Sequence, residues 1–291
     1  MRITNKMHLP DALVERVETE RHNRKGNVSA TTLLKGTKEI ILTDRHWNEL
    51  EDDVSNRIWA LFGTAVHALL EKDGETTFAE EFLSVEYPQF GKRVTGRLDC
   101  YDMETGTVYD YKNVSVNKIL RNDFADWRRQ GMIYAWLLRR NGLEASRICF
   151  IALLKDHSKF KARFDRTYPQ SPTVCVEWKV TDKDIEETER FIEAKLKGIV
   201  EAEKMTDDEI EPCTCSERWQ TESKFAVMRE GRKTAIKLFD DKESAEKYIP
   251  TIEKQGGLYI EERKAESRKC LDYCLVNHLC NFYRSLNGGQ P

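Results

Sequence analysis

The chain has 291 residues, 33% of them charged, and a net charge of −3, enough for one large domain or a domain with an appendage. No stretch approaches the roughly 18 apolar residues of a membrane span. The opening MRITNKMHLPDALVER lacks the apolar centre of a signal peptide, so no membrane association and a cytoplasmic location are expected. Near balance of charge also speaks against a uniformly basic nucleic-acid binder and leaves only a local patch to steer one.

In chain order, Pro10–Glu20 is predicted helical and feeds a basic turn at Arg21–Lys25. Ser29 is placed to cap a short helix entering Leu33-Leu34. Asp44–Phe62 reads as mostly helical. Within Asn56–Lys72, Ile58, Leu61, Phe62, Val66, Leu69 and Leu70 recur at helical spacing. His67 and Glu71 share a face there. His67 is a candidate metal ligand, since neutral imidazole binds Mn²⁺-like ions, although a helix histidine more often only hydrogen-bonds.

Two apolar-rich runs follow, Val94–Tyr101 and Thr107–Lys112, around Met103-Glu104-Thr105-Gly106. They predict a β-hairpin with Asp99 near the end of its first strand. Asp110 and Lys112 are two apart on the second strand, so they face the same way. Two carboxylates and an ammonium then converge, the donor types that suit Mg²⁺ or Mn²⁺ and metal-assisted phosphodiester hydrolysis. Alternating charges also describe an ordinary solvated strand. Asp126–Arg140 reads as a helix with an apolar stripe of Trp127, Ile133, Trp136 and Leu137, and with Gln130 one turn from Tyr134. Arg128, Arg129, Arg139 and Arg140 form the local positive patch. Arg147–Leu154 is a continuous apolar run expected to be a buried strand. Lys155–Gln170 is a basic loop that would face DNA, Val174–Val180 is a strand, and Thr181-Asp182 starts a helix to about residue 204.

The order GTAVH on a helix, then Gly96-x-x-Asp99, Asp110-x-Lys112 and Gln130-x-x-x-Tyr134 resembles the PD-(D/E)XK nuclease superfamily. It is most similar to the RecB-like branch of recombination nucleases, phage exonucleases and the CRISPR adaptation nuclease. The resemblance spans roughly residues 25 to 160. It implies a mixed central sheet flanked by helices and DNA cleavage with one or two metal ions. It further implies Asp99, Asp110, the Tyr111 carbonyl and His67 as metal ligands and Lys112 as the catalytic lysine. Gln130 and Tyr134 match the motif helix. An additional acidic ligand, drawn from Glu80, Glu81 or Glu86, often precedes the hairpin.

Of eight cysteines, Cys100, Cys149 and Cys175 fall singly in apparent strands and read as buried small hydrophobes. Cys213 and Cys215 lie in EPCTCSERW, and Cys270, Cys274 and Cys280 in RKCLDYCLVNHLCNFY. In a cytoplasmic chain such clusters argue for a metal before a disulfide. Four thiolates, the late three plus Cys213 (or Cys215 in its place), suit tetrahedral Zn²⁺ or a [4Fe–4S] cluster. The late triplet resembles that of iron–sulfur-containing RecB-like nucleases. His278 falls inside the triplet, a candidate ligand in the zinc reading and otherwise a surface residue. Between the two groups, Lys224–Arg229, Thr234–Phe239, Asp240–Tyr248 and Leu258–Arg263 predict a small β-β-α-β module with a basic hairpin.

The expected layout is thus an α/β, restriction-endonuclease-like core over residues 1–210 and a cysteine-rich lobe over 211–291, with a module inserted at about 218–263. The expected activity is that of a Mg²⁺- or Mn²⁺-dependent exonuclease acting on DNA ends or single strands in phage, mobile-element or repair processing. The resemblance admits a helicase or recombinase partner or a homo-oligomer. The rival readings are a non-catalytic DNA-binding or assembly protein on the same fold, a zinc-stapled interaction protein, and an endonuclease with restriction-like specificity.

Overall fold

The computed structural model describes residues 1–18, 26–70, 77–79, 82–254 and 256–286. The basic turn at Arg21–Lys25 and the side chains of Glu71, Glu80 and Glu81 lie outside the described residues. The chain divides into two compact units, Met1–Ile210 and Glu211–Pro291.

The first unit is mixed α/β. Its five-stranded sheet runs, edge to edge, Thr173–Lys179, Arg147–Leu154, Thr107–Val114, Cys100–Asp102 and Thr77–Ala79. The central strand, Thr107–Val114, is parallel to its neighbour Arg147–Leu154, with Asp110 opposite Phe150 and Lys112 opposite Ala152. The other pairs are antiparallel. Parallel neighbours need a long crossover, and helix Ala125–Arg140 lies within it. A second sheet, Asn27–Ser29, Lys92–Arg97 and Phe82–Tyr87, packs on the same helix.

Helix Ala125–Arg140 is therefore enclosed by both sheets, and helix Asp182–Ala202 packs against it as well. It is buried almost continuously from Gln130 to Leu138. Trp127 stacks on Phe150 with ring centroids 5.4 Å apart, and Trp136 stacks on Tyr87 at 6.1 Å. Two glycines allow this closeness. A Cβ on Gly131 would stand 2.5 Å from Ile148 Cγ2, and one on Gly96 would stand 2.4 Å from Leu137 Cδ1.

Three expectations change. Val94–Tyr101 is not one strand. Lys92–Arg97 belongs to the second sheet and Cys100–Asp102 to the first, with a break at Leu98-Asp99. Leu98 is fully buried there, which turns the chain inward between the sheets. Within the Asp44–Phe62 segment, Glu51–Asp53 is a strand paired in parallel with Arg2–Thr4. Asp53 accepts hydrogen bonds from the Lys6 and Ser55 amides, so local capping wins over helical continuation. Finally, the loop Lys155–Gln170 contains a short helix, Lys159–Phe164, capped by Ser158.

Helix Thr37–Arg45 is tied to the end of helix Asp182–Ala202 by charge. Arg45 donates to the carbonyls of Ala202, Glu203 and Met205, where a helix terminus carries negative partial charge. Arg45 and His46 both reach Asp207, His46 Nε2 at 2.7 Å. The hydrogen bond that His46 donates to Asp207, then that to Glu49, raises His46 above its ordinary 6.5. A raised histidine stabilises fully below the unfolded value and loses its contribution as pH rises through the folded value. His46→Gln is accordingly expected to melt up to about 4 °C below wild type near pH 5.5. The gap should close by pH 9 in scanning calorimetry, and a pH-independent gap would count against the ion pair.

The second unit holds an antiparallel sheet of Lys237–Phe239, Lys224–Arg229 and Leu258–Arg263, with helix Lys242–Tyr248 between its strands in sequence. Asp241 caps that helix through the Ser244 amide. Its cations are largely engaged: Lys224 with Glu222 and Asp240, and Arg229 with the Lys254 carbonyl.

Candidate active site

The site grows from the central strand Thr107–Val114. The pleat places Asp110 and Lys112 on one side, and Lys112 Nζ stands 2.7 Å from Asp110 Oδ2. Asp110 is almost wholly buried. Its Oδ1 accepts from Gln130 Nε2 at 3.3 Å, and the same amide donates to the Tyr134 hydroxyl at 2.8 Å. The i, i+4 pair of helix Ala125–Arg140 thus reaches the strand as one relay. Asp110 Oδ2 takes no well-aligned hydrogen bond; its neighbour is the Lys112 ammonium, close enough for an ion pair but out of line. Phe150, opposite Asp110, lies beneath that ammonium at 5.4 Å from the ring centroid.

Asp99 reaches the same strand from the break between the sheets. Its Oδ2 accepts the Tyr111 amide at 2.9 Å, and its Oδ1 lies 3.0 Å from His67 Nδ1. The irregular turn at Leu98-Asp99 is what points this carboxylate at the strand. His67 stands edge-on to the Tyr111 ring and comes from helix Val54–Leu70, which packs on the strand. The structure therefore brings together His67, Asp99, Asp110, Tyr111, Lys112, Gln130 and Tyr134.

The electrostatics follow from burial. Desolvation lifts Asp110 to about 6, opposed by the Lys112 charge and reinforced by Asp99. The hydrogen bond to Asp99 raises His67, against the burial that would lower it. Burial, then the Asp110 charge, pushes the Tyr134 phenol well above its usual range, so it stays protonated and available as a donor.

Among the described residues, no three His, Cys, Asp or Glu side chains already surround a common point at metal-holding distance. The donor set nevertheless fits a hard divalent cation. It offers two carboxylates and an imidazole, and one carboxylate oxygen is shut from water without an aligned donor. A positive ion beside a desolvated carboxylate favours its charged form.

Other expected participants sit elsewhere. Glu86 is exposed and paired with Arg93. The arginines of helix Ala125–Arg140 meet partners on the neighbouring acidic helix. Arg128 pairs with Asp184, Arg139 with Asp182 and Arg140 with Glu189, while Arg129 lies over the Phe191 ring. The acidic helix Asp182–Ala202 is their partner. Of the three single cysteines, Cys149 is buried, Cys100 half-buried and Cys175 exposed on the sheet's edge strand. Local spacing does not mark Phe150 or Gly131 as shaping the site, and it marks Gly96 only as the start of the Gly96-x-x-Asp99 motif. An aromatic on the strand after the motif helix, and glycines on two elements that face each other, were the available signals.

In the second unit, Cys213, Cys270, Cys274 and Cys280 are half-buried and Cys215 is exposed. Arg218 joins the two cysteine segments. Its guanidinium donates to the Cys213 carbonyl, and its own carbonyl accepts the Lys269 amide at 3.1 Å. A bridge between Gln220 and Ser267 continues the pairing. His278 is exposed.

No family model and no curated protein matches the chain. Among solved structures, SSO0001 is similar at 16% identity and a TM-score of 0.43, covering 64% of this chain and 83% of that one. An alkaline exonuclease from Laribacter hongkongensis is similar at 13% identity and a TM-score of 0.39, covering 65% and 93%. A phage-related exonuclease from Haemophilus somnus follows at 15% identity and a TM-score of 0.30, covering 57% and 73%. No helix among the described residues is long and apolar enough to cross a membrane.

Proposed function

We propose that this chain is a divalent-cation-dependent deoxyribonuclease of RecB-like type, acting as an exonuclease on DNA. The observation that carries the reading is the meeting of Asp99, Asp110 and Lys112 at one strand, buttressed by Gln130 and His67. Asp99, Asp110, the Tyr111 carbonyl and His67 are the residues that would hold Mg²⁺ or Mn²⁺. When bound, such a cation polarises a phosphate oxygen and lowers the pKa of a coordinated water.

The chain's own groups do the rest. Lys112 stands where its ammonium can orient a nucleophilic water and offset charge developing on a phosphate. Asp110 and Phe150 fix that ammonium from two sides. Gln130 holds Asp110 by an amide whose other hydrogen is anchored on Tyr134, so the carboxylate cannot swing away from the strand. Asp99, held by the Tyr111 amide, accepts the hydrogen bond of His67 Nδ1, which in the neutral imidazole leaves Nε2 with its lone pair.

For the second unit we propose that Cys213, Cys270, Cys274 and Cys280 hold a [4Fe–4S] cluster, or structural Zn²⁺ in its place. The Arg218 tie between the two segments supports this reading. Metal analysis of protein purified without oxygen distinguishes the two.

Digestion of end-labelled linear and closed circular DNA with Mg²⁺ or Mn²⁺ tests the activity. Loss of the linear substrate with the circle intact is the expected result. Nicking of the circle would replace the exonuclease by an endonuclease. Indifference to both would favour a DNA-binding or assembly protein.

A further inference from the structure

Four aromatic side chains near one end of the central sheet are exposed where apolar rings ordinarily are not. On helix Val54–Leu70, which delivers His67, Trp59 is 59% and Phe62 53% exposed, with ring centroids 5.8 Å apart. On helix Lys159–Phe164, Phe160 and Phe164 are 71% and 72% exposed and 5.0 Å apart. Lys155, at the start of the segment that carries the second pair, places its ammonium 3.6 Å over the Trp59 ring, and its amide donates to the Val114 carbonyl. Val114 ends the strand that carries Lys112, about 7 Å along it at the rise of a strand. The rings thus stand beyond the carboxyl ends of the parallel strands, where open α/β sheets present ligands.

The exposure is not that of a loose loop. Asp156 binds the Ser115 hydroxyl and Val116 amide, and the buried Tyr168 hydroxyl accepts the Ser158 amide. The charge is one-sided. Helix Val54–Leu70 contains no acidic residue, and segment 155–166 holds three lysines and two arginines. Its two carboxylates are turned into local hydrogen bonds, Asp156 as above and Asp165 to Thr167. Paired flat rings beside a segment with more cations than carboxylates complement a strand with free base faces and a charged backbone. A protein partner would ask for an apolar face with a mixed rim.

Resting on the nuclease reading, we propose that Trp59, Phe62, Phe160 and Phe164 stack the unpaired bases of a single DNA strand. Lys155 and Lys161 hold its phosphates, so that the strand is led to Lys112.

The probe is fluorescein-labelled dT20, titrated into the full chain without added divalent cation. Trp59→Ala/Phe160→Ala is expected to bind roughly 10- to 100-fold more weakly with an unchanged salt dependence, and Trp59→Phe to keep most of the affinity. Lys155→Ala/Lys161→Ala should lower the slope of log affinity against log salt by about 0.7 for each phosphate no longer neutralised. Since the substituted rings are exposed, melting temperatures should stay near that of wild type, which separates lost stacking from lost folding. Equal dT20 affinity in wild type and Trp59→Ala/Phe160→Ala overturns the proposal; if wild type still digests DNA, the nuclease reading survives. Wild type that neither binds dT20 nor digests DNA overturns both. A wild-type dimer that becomes monomeric in Trp59→Ala/Phe160→Ala, with dT20 binding unchanged, assigns the face to a second copy and overturns the proposal.

Discussion

Lys112→Met should cleave DNA more slowly by roughly two to three orders of magnitude while binding it nearly as well as wild type, the scale seen when one preorganised charge-stabilising donor is removed. The expectation rests on position. The ammonium sits over Phe150 and beside the buried Asp110 carboxylate, about a quarter exposed, so it faces the site on one side and is braced on the other. Methionine keeps the length and apolar stem while removing only the charge. Lys112→Arg is not expected to rescue activity, because a planar fork cannot reproduce a point charge held between a ring and a carboxylate. Gln130→Leu is the graded control. It removes the amide that spans Asp110 and Tyr134 but leaves the ammonium, so its loss should be smaller, on the order of tenfold. Single-turnover rates on end-labelled linear DNA, with filter binding alongside, separate chemistry from affinity. Lys112→Met cleaving as fast as wild type would remove this lysine from the mechanism. A loss confined to binding would make it a phosphate clamp instead.

The parts of this site that a reader of the sequence can see are those written in local spacing. Asp110 and Lys112 share a face because a strand alternates, and Gln130 meets Tyr134 because a helix repeats every 3.6 residues. Arg147–Leu154 declares itself as a buried strand by its unbroken apolar run, and Thr181 caps the helix Asp182–Ala202 by a reciprocal bond with Asp184. Such features depend on neighbours within a few residues.

What stays hidden is non-local. Val94–Tyr101 has uniform strand character, and nothing in it marks Leu98 as the place where the chain leaves one sheet for another. That break aims Asp99 at the Tyr111 amide, so the carboxylate was recognisable by type but not by its bond. Charge misleads for the same reason. Arg128, Arg139 and Arg140 are clustered in sequence, yet their partners are Asp184, Asp182 and Glu189, more than forty residues on. Exposed rings are equally silent: Phe62 fits the apolar period of its helix and Trp59 adjoins it, and only the fold leaves them uncovered.

Gly131→Ala should damage both stability and chemistry, because one Cβ acts on the seam between helix and strand. At Gly131 the added carbon would stand 2.5 Å from Ile148 Cγ2 and 3.0 Å from both Ile148 Cδ1 and Phe150 Cε2. All three belong to the strand paired with the one that carries Asp110. None can yield easily, since Ile148 and Phe150 are fully buried and Trp127 is stacked on Phe150. The helix must move instead. Overpacking of this kind costs about 1–3 kcal/mol, more than the helix-propensity gain of alanine over glycine, which is about 1 kcal/mol. The displaced residue next in the chain is Gln130, whose 3.3 Å bond to Asp110 is already long. A shift on the order of 1 Å at a positioning group can lower a rate about a hundredfold. Gly131→Ala is therefore expected to lower the melting temperature by several degrees and to reduce cleavage more than Gln130→Leu does. Ile148→Ala removes two of the three clashing atoms, so Gly131→Ala/Ile148→Ala should be less destabilised than the sum of the single variants, by about 1–2 kcal/mol in urea unfolding. Strict additivity would mean that the helix does not rest on Ile148 through Gly131, and the coupling between packing and the position of Gln130 would have to be sought at the other close approach, Gly96 against Leu137 and Tyr134.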